Sequence, residues 1–275
     1  MKNTKRILAL LLVAAAGTQC LTGCGDKKKK SSSSMPLYAE TAVETPTEPP
    51  VGGAEISGDN YNPEEYSSKI EEHVNAMEIT DGDLVLGSVS DEVITPEEGS
   101  PDAQLGNYRL SSSGIKLYFD ENEYPADLIL TFEKYFTAYS SADYDTYHKC
   151  LFPGYVTEME AVQAENEDRH DFKTSFIHSC SDLAQGAHGD FKITRIKLEK
   201  NAPRTDGVDN VDGYFQMLNN YLGKDYYSEV KEQCDGFVDA CFYIMGEDAY
   251  GKENMIVTAG KIVFATKDGR YYIFG

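Results

Sequence analysis

"KIVFATKDGRYYIFG", residues 261–275, decides how the chain ends. Two runs of β-forming residues flank Asp268-Gly269. An Asp-Gly pair between such runs signals a two-residue hairpin, because both central positions need a positive φ that Asp tolerates and Gly adopts freely. The chain therefore finishes on an antiparallel pair of strands. Upstream, "GFVDACFYIMGE" (236–247) alternates, with Val238, Ala240, Phe242 and Ile244 on one face, and "NMIVTAGKIVFAT" (254–266) carries a second β run. "DFKITRIKLEK" (190–200) is a further strand, and "YRLSSSGIKLYFD" (108–120) reads as a hairpin or two edge strands.

Helices come before and between these strands. Leu128, Ile129, Phe132, Tyr135, Phe136 and Tyr139 recur at helical spacing, with Pro125 in the first turn. Asp143 is an N-cap for a second, short helix that ends before Pro153. One long helix is expected over roughly 157–185, with Phe172, Phe176, Cys180 and Leu183 on one face and Gly186 and Gly189 as stops. Another spans 211–222, with Asp212 as N-cap and Gly223 as terminator. The expected class is α+β: helices packed on a curved antiparallel sheet.

Two stretches carry a family resemblance. "FEKYFTAYSSADYDTYHKCLFP" (132–153) is similar to the helix–turn–helix opening of the nuclear transport factor two superfamily, which includes ketosteroid isomerase, and residues 261–275 resemble its closing hairpin. Tyr271 stands where that pattern usually has Trp, and the helix at 211–222 is like the exported lipoprotein branch. The resemblance covers roughly 120–275 and implies a cone-like fold with a pocket between helix and concave sheet. In enzyme members an Asp, His or Tyr in that pocket does acid–base work. No motif matched to those residues occurs here, so no catalytic residue carries over.

The N-terminus gives an address. Lys2, Lys5 and Arg6 precede the short apolar run Ile7–Ala16, which at about ten residues is half the roughly 20 of a spanning helix and has the layout of an export signal. Leu21-Thr22-Gly23-Cys24 resembles the bacterial lipobox, which implies diacylglycerol on the Cys24 sulfur and cleavage just before it. Two acyl chains hold firmly where one does not, and Lys27–Lys30 add attraction to an anionic leaflet. Four parts follow: 1–23, a lipoprotein signal peptide; 24–60, a lipid-anchored disordered tether of Lys, Ser, Pro, Thr and Glu; 61–119, a short helix ("NPEEYSSKIEEHVNAM") and an irregular β region; and 120–275, the α+β cone-like domain. The tether spans roughly 30–35 Å on average.

The formal charge is −21, and residues 1–23 hold three cations and no acid, so the remainder is more acidic still. Such a chain repels nucleic acid and an anionic bilayer surface. Cys150, Cys180, Cys234 and Cys241 remain after the signal. An exported chain can oxidise them, with three pairings open to four cysteines, or bury them as thiols. No CxxC or zinc-finger spacing is present, and His170 and His178, eight apart, read as too distant to share a metal. "TDGVDNVDG" (205–213) fits a turn better than an EF-hand, whose acids alternate. Tyr226, Tyr227 and Tyr250 read as exposed tyrosines; a recognition surface is one option for them, and core packing or chance exposure is the favoured one.

These features point to a cell-membrane lipoprotein, facing outside the cytoplasm, that presents a non-enzymatic binding or accessory domain to an envelope protein or small ligand. It needs no cofactor or metal and contacts the membrane through Cys24. The alternative is a cone-fold isomerase or dehydratase acting on a small molecule.

Overall fold

The computed structural model describes residues 79–81, 84–164 and 170–274. The signal peptide, Cys24, the tether and the helix expected near 62–77 lie outside the described residues. The described chain is α+β. Strands β1 (Ile79–Asp81) and β2 (Leu84–Gly87) form a small antiparallel pair, and a 3-10 turn follows at Pro101–Gln104. The main sheet runs β3 (Arg109–Leu110), β4 (Lys116–Tyr118), β5 (Phe191–Glu199), β6 (Gly236–Asp248), β7 (Glu253–Lys267) and β8 (Arg270–Ile273), side by side in that order. Every neighbour pair is antiparallel except β4–β5.

The parallel β4–β5 pair requires a long crossover, because two parallel strands cannot be joined by a tight turn. The helices α1 (Ala126–Ser141), α2 (Tyr144–Cys150), α3 (Tyr155–Ala164) and α4 (Phe172–Gly186) supply it. α1 packs against β2, β5 and β8 and against α2 and α4, so it is the central element of the core. Its expected stripe is buried: Leu128, Ile129 and Phe132 are sealed, and Tyr135 and Phe136 nearly so. Pro125 stands at the N-cap, one place before the helix proper. α1 stops where Ala142 turns left-handed, and the Asp143 carboxylate then caps α2 by accepting from the Thr146 amide at 3.1 Å.

Two expectations need correction. The single helix over 157–185 is two helices, α3 and α4. Asp171 opens the second one, taking the Thr174 amide at 2.7 Å; an Asp side chain bonded to nearby backbone favours a helix start over a helix interior. Likewise α5 (Asn210–Leu222) is capped by Asp209, which accepts from the Val211 amide at 2.8 Å, and Asp212 sits in its first turn. Gly223 ends α5 with φ +73°, as expected. A further short helix, α6 (Tyr226–Lys231), is capped by Asp225.

β6 and β7 form the longest hairpin. Its register slips between Phe242 and Ile244 and again between Ile244 and Met245, with the extra residues on β7. Such bulges bend a strand and increase its twist, and the sheet curls into a half-barrel. The closing turn has φ +54° at Asp268 and +74° at Gly269, the geometry of the expected hairpin. β8 is fastened from behind by the chain leaving α2: the Phe152 amide donates to the Ile273 carbonyl at 2.9 Å.

Rings from the helices fill the space over the sheet. Phe132 lies 5.0 Å from both Phe136 and Phe242 and 5.9 Å from Phe264, all edge to face. Tyr147 stacks on Phe176 at 4.3 Å, and Phe215 on Tyr227 at 4.3 Å. Edge-to-face and offset pairs match the ring quadrupole and add to area burial.

Candidate functional site

An open groove of about 420 Å³ lies at the β3–β4 end of the sheet. Phe119 gives it apolar surface with Leu117 sealed beneath, Tyr108 and Val93 flank it, and Arg109, Asp120, Glu121 and Asn122 supply polar groups. Arg109 is held firmly. One of its terminal nitrogens donates to the carbonyls of Ser90 (2.8 Å) and Asp91 (2.6 Å), and its Nε pairs with Glu121. Asp120 accepts from the Asn122 backbone and side chain at 3.0 and 2.9 Å, which shapes the turn after β4. Asp120 is exposed, and Glu121 is half-exposed despite its pairing. An apolar floor with carboxylates at the rim can receive a side chain that is greasy along its stem and cationic at its tip.

Behind this groove a buried charge cluster pins the 3-10 turn to the sheet. Asp102 accepts from Lys116 Nζ (2.5 Å), Tyr118 Oη (2.6 Å) and Arg195 Nε (2.5 Å). Burial alone would raise its pKa; the hydrogen bonds from Arg195, Lys116 and Tyr118 outweigh that and bring it from 3.8 to about 2. Burial and the Asp102 charge push the Tyr118 phenol up. Arg195 also pairs with Glu253 on β7, and Thr194 donates to Glu253 at 3.0 Å. Lys116 Nζ sits 5.0 Å above the Tyr108 ring, which ties the cluster to the groove wall. Each charge is satisfied by its neighbours, so the cluster is a clamp.

The second locus is Glu133 on α1, only 2% exposed. The Ser113 hydroxyl donates to its Oε1, and Ser111 Oγ lies 2.9 Å from Ser113 Oγ. Its Oε2 is buried without a hydrogen-bond partner. Burial raises the Glu133 pKa, and the two serines offset only part of that. A carboxyl in this setting favours the neutral, proton-carrying form.

The interior beneath the helices is lined with phenols. Tyr135 and Tyr139 (α1), Tyr147 (α2) and Tyr155 (α3) all have raised pKa values through burial, so they are neutral near pH 7. Tyr135 Oη and Tyr139 Oη are 3.4 Å apart, and Tyr214 donates to the Phe274 carbonyl at 3.2 Å. Neutral phenols can donate hydrogen bonds, but they are poor proton acceptors in catalysis.

The residues singled out in the sequence fall as follows. Cys150 and Cys180 are buried on α2 and α4, Cys234 precedes β6 and Cys241 lies on β6; no disulfide joins the four in the structure. Burial lifts the thiols of Cys180 and Cys234 to about 11, the range of inert cysteines. Of the three tyrosines expected at the surface, only Tyr250 is fully out, at 90% exposure. Tyr226 is buried, and Tyr227 is half-buried by its stack on Phe215, because α6 folds onto α5. Residues 205–209 form a turn, with Asp206 held by Arg204 at 2.5 Å and Asp209 used as the cap of α5, which begins at Asn210. His170 and His178 are neighbours, with ring centroids 4.6 Å apart, which corrects the expectation from their spacing. Among the described residues no group of three or more His, Cys, Asp or Glu could hold a metal ion, and no helix is long and apolar enough to cross a membrane.

Sequence reasoning missed Glu133, the Asp102 clamp and the groove. The one local signal was "SSSG" at 111–114, a polar turn that faces a carboxylate on an otherwise apolar helix surface. Comparison with protein-family models, with curated proteins and with solved structures finds no match to this chain.

Proposed function

We propose that the protein is a cell-envelope lipoprotein, anchored through acylated Cys24, that holds a non-enzymatic binding domain of the cone type outside the cytoplasm. Helices followed by a curled sheet and an Asp-Gly hairpin support the cone assignment. The observation that carries the binding reading is the division of space in the domain. The face of the sheet under α1 is filled by Phe132, Phe136, Phe242 and Phe264, while the groove at β3–β4 opens outward. Recognition then takes place at the groove, and its acidic rim selects a partner or ligand with a cationic, part-apolar group.

Two measurements test this. Mass spectrometry of the protein from its native membrane should find residues 1–23 removed and diacylglycerol on Cys24, and Cys24→Ser should release the chain from the membrane. A photo-crosslinker placed at Val93 should yield a discrete adduct in cells, lost when Phe119→Asp alters the groove. An unmodified Cys24, or an adduct indifferent to Phe119, overturns the respective half.

Glu133 favours a second reading, a cone-fold enzyme of isomerase or dehydratase type. A buried carboxyl with a raised pKa is the group such proton transfers need. If this reading holds, Glu133→Gln abolishes turnover of the small-molecule substrate and leaves its binding intact. Unchanged turnover removes Glu133 from catalysis and this reading with it.

A further inference from the structure

We infer that His170 and His178 form a two-imidazole site for a divalent transition metal on the outer face of α4. Their spacing on an ideal helix would separate them by about 12 Å along the axis. The separation closes because His170 is not in the helix. It precedes the N-cap Asp171, whose backbone is extended (φ −61°, ψ 166°). The chain before the N-cap lies back along the helix, where His170 meets His178. The rings end with centroids 4.6 Å apart and planes at 83°. Two imidazoles bound to one metal at about 2.0–2.1 Å per bond have centroids about 4.5 Å apart at a right-angle N–metal–N and about 5.2 Å at a tetrahedral one, so the two rings lie within reach of one shared ion.

The surroundings suit a cation. Both rings are exposed and free to rotate onto a shared ion. Asp182, also exposed, follows His178 by one turn on the same helix. The whole chain carries −21, a field that concentrates cations near its surface. Among the described residues no third protein donor completes the site. Imidazole selects copper, nickel and zinc over magnesium and calcium, with Cu²⁺ the tightest.

The test uses the full chain, purified in detergent, titrated with Zn²⁺ by calorimetry and with Cu²⁺ by electron paramagnetic resonance at pH 7.5. One equivalent should bind, with nitrogen couplings from two imidazoles. His170→Ala and His178→Ala should each weaken Zn²⁺ at least about tenfold, since each turns a chelate into a single contact. His148→Ala, which removes an exposed imidazole on α2, should change nothing. Circular dichroism checks that the variants are folded. Absence of saturable binding, equal affinity in either single variant, or copper coupled to fewer than two imidazole nitrogens each overturns the proposal.

Discussion

The ring of Phe242 on β6 occupies the space that a Cβ on Gly260 of β7 would need. The two residues are register partners, and Phe242 packs in turn on Phe132 and Phe136. Gly260→Ala should therefore push the ring into the α1 core and cost about 1–3 kcal/mol. Urea unfolding measures the loss. Phe242→Leu in the Gly260→Ala background should recover part of it, a coupling that independent sites would not show.

Asp102 should govern acid stability. Its folded pKa of about 2 lies below the ordinary 3.8, so its contribution is complete above pH 4 and is lost as the pH falls through 2. That contribution is about 2 kcal/mol by linkage. Asp102→Asn should flatten unfolding free energy against pH over this window. It should also lower stability at pH 7 by about 3 kcal/mol, because Arg195 and Lys116 lose their shared partner.

Glu133 runs the other way. Its folded pKa is raised, so the folded state is favoured while the carboxyl is neutral and loses stability as rising pH ionises it. Chemical denaturation at increasing pH above the ordinary carboxylate range should show this decline. Glu133→Gln should remove that part of the slope and leave the protein more stable than the parent at the alkaline end.

The β7–β8 turn tests the residue rule that the C-terminal sequence obeys. Gly269, at φ +74°, should resist replacement, and Gly269→Ala should destabilise by about 1–2 kcal/mol. Thermal unfolding monitored by near-ultraviolet circular dichroism gives the value.

Features set by neighbouring residues were legible in the sequence. The α1 stripe, the Asp143 cap, the Gly223 stop and the Asp-Gly hairpin each depend on a few consecutive positions. The misses depend on distance or on competition. Asp171 could extend a helix or begin one, and its own side chain settles the matter. α6 has six residues, too few to display a period. The burial of Glu133 depends on serines twenty residues away, and the Asp102 clamp on an arginine 93 residues away. Neither pairing leaves a trace in spacing. The groove is likewise a product of the sheet end, where the chain before β3 meets the turn after β4.

The parallel contact between β4 and β5 sets an order of events in folding. β5 to β8 are antiparallel neighbours in chain order and can zip progressively. β4 cannot join them until roughly seventy intervening residues have collapsed, a costlier closure than that between any other two neighbouring strands of the main sheet. The β3–β4 pair should thus dock late, and hydrogen exchange should find the groove wall among the first parts of the sheet to open.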